Sequence, residues 1–351
     1  MFGIWRTLLA LEVVVSHILL VPILGAYAVF SFFVLSGFLM TAIMHGTYGY
    51  TPGGLLRYAE NRALRLYPNY WFAIAISAAV ILWVGAPNAT KHFAAFTMPH
   101  SLAEWLQNLT MIFPYFVPSD AHSILSPPTW ALTVEICYYL LIGLGISRSK
   151  RVTLVWFVAS IAYLVIIHQF NAENRFLYAA IPAGSLPFAA GALTWHFRED
   201  MRRIQARLKL NSSGWFATRW LIFLMALALY WQTDWHWIPL LALWVNVALS
   251  SLIVAGLADA NWSKPRRALD KFIGDFSYPV YLLHMQVGIL ASVLLFGERM
   301  PRLRSLEGVA ILILTLIMTG LVALVCVTVI DPAIERRRTR IRHRAIAEGK
   351  G

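Results

Sequence analysis

Ten stretches of about twenty mostly apolar residues recur along this chain, and their repetition restricts it to a bundle of membrane-crossing helices. They lie at roughly 5–24, 27–45, 68–86, 126–146, 151–169, 176–197, 217–233, 236–258, 274–297 and 306–330. Charged residues make up 13% of the 351, against about 25% in an ordinary soluble domain. The intervals between spans leave no room for a soluble module; the longest, Pro87 to Ser126, is short and aromatic. The expected fold is all-α, a polytopic transmembrane bundle of about ten spans over residues 1–331 followed by a basic tail at 332–351. Pro182 and Pro187 predict a kink or break in the sixth span. The segment 102–117, ended by Pro114 and Pro118, is too short for a span and reads as an interfacial or re-entrant element.

The placement of Lys and Arg orients the bundle. With the N-terminus inside, 24 of the 29 fall in inner segments, among them Arg62 and Arg65, six between Arg198 and Arg219, and seven from Arg336 to Lys350. Both termini are therefore expected in the cytoplasm, with the bundle in the inner membrane. Arg299, Arg302 and Arg304 form the one outer cluster, fitting a solvated loop or an anionic acceptor or lipid. A net charge of +12 would suit nucleic acid, but its place in inner loops and tail suits the lipid bilayer instead, so no nucleic acid partner is expected. Cys137 and Cys326 each lie within an apolar span and read as small core residues. The start imitates a signal peptide, with Arg6, an apolar run and Ala26-Tyr27-Ala28. A signal's apolar region is usually shorter and carries no aligned Arg and His, so cleavage is not expected.

Five polar constellations interrupt the apolar pattern. Arg6 and His17 are eleven positions apart in the first span, so they differ by only ~20° in direction and about 16 Å along the axis. An edge cation with an imidazole deeper in line suggests a site for a long anionic ligand. A snorkelling Arg and a histidine bonded to a neighbouring helix would look the same. Glu12 points roughly 120° away from that stripe and should pair with another helix. Arg62 and Arg65, three apart, can clamp a phosphate or merely flank the third span, whose first turn suits Pro68. Glu135 is the lone charge in the fourth span, either orienting a histidine or protonated and structural. Ser36-Gly37 permits close helix packing, with Ser36 also able to bond an acyl group or a catalytic side chain. Tyr281 and His284, three apart, share a face, either lining a cavity or making interhelical hydrogen bonds.

In order, Arg6-x10-His17, Phe33-Val34-Leu35-Ser36-Gly37-Phe38, Arg62-x-x-Arg65-Leu66-Tyr67-Pro68, Trp130-Ala131-Leu132-Thr133-Val134-Glu135 and Ser277-Tyr278-Pro279-Val280-Tyr281-Leu282-Leu283-His284 resemble the acyltransferase-3 membrane family. The likeness runs from Arg6 to about Ile330. Members O-acylate, most often O-acetylate, carbohydrate-containing and other envelope or secreted acceptors. The resemblance implies a ten-helix bundle using cytoplasmic acetyl-CoA or another acyl-CoA, with His17 catalytic and Glu135 an important acid. It implies Arg6, Arg62 and Arg65 near the donor's phosphates, with Ser36 and Tyr67 beside the donor. Many members carry a C-terminal hydrolase-like domain; this chain resembles the stand-alone type. Two departures are Glu12, where related first helices are usually apolar, and Pro128-Thr129-Trp130 in place of a more common Leu-Trp-Ser.

These residues lead to an expectation of acyl transfer across the membrane to a hydroxyl of a carbohydrate or glycolipid, with envelope polysaccharide machinery a candidate partner. No metal is expected, because no metal motif appears. A transporter or flippase for an envelope glycan would also put Arg, His and Glu inside a bundle, though no half-bundle repeat is visible. A noncatalytic scaffold is the third reading.

Overall fold

The computed structural model describes residues 2–170, 173–232, 238–258 and 260–348; the expected span ends at 233 and 236, and Lys350, lie outside them. Among the described residues the chain is helical, with no strand. Its helices are α1 (Gly3–Ile18), α2 (Leu24–Ile43), α3 (Pro52–Val84), α4 (Ala86–His92), α5 (Leu102–Thr110), α6 (Trp130–Gly143), α7 (Lys150–Gln169) and α8 (Asn174–Tyr178). They continue as α9 (Ser185–His196), α10 (Arg198–Leu208), α11 (Ser212–Gln232), α12 (Ile238–Ala258), α13 (Lys264–Phe296), α14 (Leu306–Val325) and α15 (Asp331–Glu348). A π turn at Met44–Tyr48 extends α2, and another at Cys326–Ile330 joins α14 to α15.

Seven of these segments are long and apolar enough to cross a bilayer: Leu24–Tyr48, α3, α7, α11, α12, α13 and the continuous Leu306–Ala347. Three expected spans form shorter helices: α1 with 16 residues, α6 with 14 and α9 with 12. Prolines account for two of them. Pro127 and Pro128 hold a tight turn before α6, and Pro182 sits in the turn Ile181–Gly184 that separates α8 from α9. The sixth span is thus broken, as its prolines predicted. Two helices instead start well before their expected spans, α3 at Pro52 and α13 at Lys264, leaving Pro68 inside α3 rather than in its first turn. Their first turns are too polar to count as span, yet they are held by partners. Asn61 bonds the backbone of Arg338 in α15, Glu60 pairs with Arg337, and Asp270 accepts from α1.

The helices meet where glycine removes the side chain. A Cβ on Gly3 would fall 1.6 Å from the carbonyl oxygen of Asp270, and one on Gly274 would fall 2.3 Å from Gly3 Cα. Between α2 and α9 the same holds: a Cβ on Gly37 would lie 2.1 Å from the Phe188 oxygen, and one on Gly191 1.9 Å from the Val34 oxygen. Backbone contact this close is how helices associate where lipid is as apolar as the core. Polar groups are satisfied inside the bundle. Asp270 receives the N–H groups of Gly3 and Ile4 at 3.0 and 2.9 Å, capping α1 from another helix. Tyr67 and Trp71 on α3 donate to the carbonyls of Thr110 and Leu109 at 2.7 and 3.0 Å, and Tyr70 to that of Asn108. These three carbonyls close α5, the helix inside the expected 102–117 element. Its Leu102, Trp105, Leu106 and Leu109 are exposed.

Glu12 meets Arg219 of α11 through two bonds of 2.9 and 2.8 Å, and Arg219 Nε donates to Asn246 at 2.6 Å. Arg219, counted above as an inner-loop cation, is buried in the bundle because Glu12 needs a partner there.

Ala at Gly191 should lower the melting temperature in detergent, by an overpacking cost of about 1–3 kcal/mol. Ala at Gly320, where a Cβ meets nothing within 4 Å, should not. Glu12→Gln should destabilise by about 3–5 kcal/mol, because it strands a buried guanidinium. The paired change Glu12→Leu with Arg219→Met should recover most of that loss in the same melting assay. A double variant as unstable as the single would refute the charge-pair account.

Candidate active site

Arg62 and Arg65 sit one helical turn apart on α3, and Arg6 reaches the same place from the first turns of α1. They line a cavity of about 140 Å³ with Ser36, Glu135, Tyr139, Tyr278 and Tyr281. The helix register explains who joins. Tyr67 lies two residues past Arg65, hence ~200° around the helix, and its hydroxyl is spent on Thr110 in α5. The structure therefore brings Ser36 to the arginines but not Tyr67. Arg62 donates to Asn61 at 2.8 Å, and Arg65 lies 3.8 Å from Asp331 with its guanidinium over the Tyr278 ring. The Nε atoms of Arg6 and Arg62 are buried with no hydrogen-bond partner. Orphaned donors on two of three converging guanidiniums fit an anion.

Glu135 belongs to this cavity. Ser36 donates to its Oε1, and Tyr139, one turn further along α6, donates to the same oxygen at 2.5 Å. The packing role of the Ser36-Gly37 step is also present, since Gly37 touches the Phe188 backbone.

His17 faces a second cavity, of about 590 Å³, with Trp130, Tyr178, Ser119 and Arg175. Trp130 begins α6 while Glu135 lies five residues on, or about 7.5 Å along the axis. That displacement puts the two ends of one motif in different cavities. Among the described residues no hydrogen bond joins Glu135 to His17. The partner of His17 is His284: His17 Nδ1 lies 2.8 Å from His284 Nε2, with the rings 8° from parallel. His284 is fully buried, and its Nδ1 lies 2.9 Å from the Tyr281 carbonyl oxygen. The interhelical bond read as one option for His284 thus lands on the histidine of the first span. Sequence showed only that Tyr281 and His284 share a face; no local spacing rule reports a contact 267 residues away.

The bond pattern assigns the tautomers. A carbonyl only accepts, so His284 carries its proton on Nδ1. Its Nε2 then offers a lone pair, which accepts from His17 Nδ1–H. His17 is left with an unprotonated Nε2, the form that a base or nucleophile requires.

The family model described as an acyltransferase domain, that of the acyltransferase-3 family, matches residues 2–330. The chain belongs to the acyltransferase-3 family. No curated protein and no solved structure matches it. With its apolar helices, this acyltransferase-3 protein is a multi-pass membrane acyltransferase. The match covers both cavities and stops one residue before α15.

In bilayers of ¹⁵N-histidine-labelled protein, nitrogen NMR should find His17 protonated at Nδ1 and bare at Nε2, assigned by the signals lost in His17→Gln. His284→Ala should turn this into a mixture of tautomers. A wild-type His17 protonated at Nε2 would break the chain of assignments.

Proposed function

We propose that this acyltransferase is an O-acetyltransferase of the inner membrane, moving an acyl group from cytoplasmic acetyl-CoA to a hydroxyl on an envelope or secreted carbohydrate. The observation that carries this reading is the pair of cavities joined through one turn of α13. Arginines line one, and His17 with the rings of Tyr27, Trp130 and Tyr178 lines the other. Ten passages with both termini cytoplasmic put the arginine cavity on the donor side, in line with the positive-inside bias. Arg175 then stands on the outer side.

The donor's phosphates rest on Arg6, Arg62 and Arg65, and the orphaned Nε atoms of Arg6 and Arg62 suit them. The arginine cavity takes the phosphate end of the arm, not the whole donor. Arg6 and His17 are eleven residues apart on α1, about 16 Å, which is roughly the reach of a pantetheine arm. Phe32 and Tyr281 line the arginine cavity and meet edge to face at 6.0 Å; the arm must part them to reach His17. There His17 Nε2 takes the proton of the acceptor hydroxyl as its oxygen attacks the thioester carbon. The carbon–sulfur bond breaks, the acyl ester forms, and the CoA thiolate leaves to be protonated. His284 steadies the imidazolium by accepting its Nδ1–H. If His17 Nε2 attacks first, an acyl-histidine forms and the acceptor oxygen then displaces the imidazole. Glu135, held by Ser36 and Tyr139, acts at the donor cavity rather than as a direct orienter of His17.

Purified wild type and His17→Ala in nanodiscs, given acetyl-CoA and envelope extract, should differ in CoA release and in acetyl label on the extract. Both signals should fall together by about 10²–10⁴-fold in the variant. Equal labelling by the two proteins would sink the proposal, and acceptor movement without CoA release would favour a transporter.

A further inference from the structure

We propose that the tail helix α15 completes a second phosphate pocket beside the arginine cavity, binding a phosphate of the acyl donor's nucleotide between Arg338 and Arg62. This rests on the acyl-CoA reading above, and it assigns a ligand contact to a helix beyond the matched domain.

Asn61 is fully buried on α3 and holds both cations. Its Oδ1 accepts from Arg62 Nη2 at 2.8 Å and from Arg338 Nε at 3.3 Å, while its Nδ2 donates to the Arg338 carbonyl at 3.2 Å. One neutral amide oxygen therefore draws two guanidiniums together in a place where Arg338 keeps only 14% of its side chain exposed. Like charges brought this close and out of water repel each other, and the nearby carboxylates do not cancel them. Glu335 takes both Arg338, at 2.6 Å, and Arg342, and Asp331 stands 3.8 Å from Arg65. With Glu135 in the adjoining cavity, three carboxylates thus face the four guanidiniums of Arg62, Arg65, Arg338 and Arg342, which leaves an excess of positive charge. No carboxylate lies within 4 Å of Arg62 among the described residues.

The neutral neighbours show the same deficit. Tyr58 precedes Arg62 by one turn of α3, and Tyr48 packs edge to face on Tyr58 at 5.8 Å. Both tyrosines are buried, and neither hydroxyl has a hydrogen-bond partner, nor does Arg62 Nε. Buried native polar groups are almost always paired. Two phenolic hydroxyls and a guanidinium edge, all donors without acceptors, gather beside an excess of positive charge. An oxyanion with several acceptor oxygens satisfies all of them together, and a phosphate has the geometry for forked guanidinium donors. Ordinary docking of α15 on α3 explains the Asn61–Arg338 bonds, but it leaves the tyrosine hydroxyls and the extra charge unanswered.

The test is direct binding of CoA, 3′-dephospho-CoA and pantetheine to the full chain in zwitterionic nanodiscs. Arg338→Gln should weaken CoA by about 10–100-fold, as expected for one lost charged hydrogen bond. Unchanged affinity for dephospho-CoA would assign Arg338 to the 3′-phosphate; an equal loss would assign it to the pyrophosphate. Pantetheine should bind both proteins alike. Tyr48→Phe removes one hydroxyl without removing packing, and should weaken CoA by a smaller factor at unchanged melting temperature. Arg340→Gln, an exposed cation of the same helix, should change nothing. The pocket is overturned if Arg338→Gln leaves all three ligands unchanged, if it weakens pantetheine equally, or if Arg340→Gln matches it. It is overturned too if the Arg338 effect appears only when anionic lipid is added, which would make the ligand a headgroup. Wild type that binds none of the three removes the acyl-CoA reading itself. In that case Arg338-dependent binding of inorganic pyrophosphate would still uphold the pocket, and its absence would end it.

Discussion

Everything at the centre of this protein depends on the seam between α1 and α13. Gly3 bonds Asp270 and His17 bonds His284, and both pairs are separated by the same 267 residues. The two helices therefore run parallel and keep one register across fourteen residues, two heptads, or about 21 Å. The glycine contact sets the distance at one end, and the imidazole pair reads it out at the other. Arg6, one turn past the capped end of α1, is carried to the arginines of α3 by the same alignment. A slip of one residue along the seam would turn each side chain by about 100° and dissolve both ends together.

That seam also links the two cavities chemically. Tyr281 uses its ring on the arginine cavity, its hydroxyl on the Pro128 carbonyl at 2.9 Å, and its own carbonyl on His284. Pro128 in turn precedes Trp130, which lines the cavity of His17. A displacement of Tyr281 is thus felt by the imidazole pair through one peptide unit. The buried Glu12–Arg219 pair lies on another face of α1, away from this path. It anchors α1 to α11, and through Asn246 to α12.

What the sequence made legible was local. Arg62 and Arg65 share a cavity because residues three apart on a helix are neighbours, and Ser36-Gly37 packs closely because glycine has no side chain. Glu12 required a partner because a carboxylate cannot stand alone among apolar side chains. Its partner was not legible, because Arg219 looked like any other flanking cation. The same holds for His284 and for Arg338, whose contacts join helices far apart in the chain. The Tyr67 placement failed for a geometric reason: a shared motif does not mean a shared face, and two residues on turns the side chain away. Helix ends failed because hydropathy reads lipid, not partners. The first turns of α3 and α13 are polar, but other helices hold them.

The histidine pair has a polarity. Its hydrogen bonds all point one way, from His17 through His284 to a backbone carbonyl, and a carbonyl has no proton to hand on and is too weak a base to receive one. Current along this chain stops there. A proton collected at His17 must leave from His17, on the side where it arrived. The histidine pair therefore ties two helices together at the centre of the bundle without forming a wire for protons.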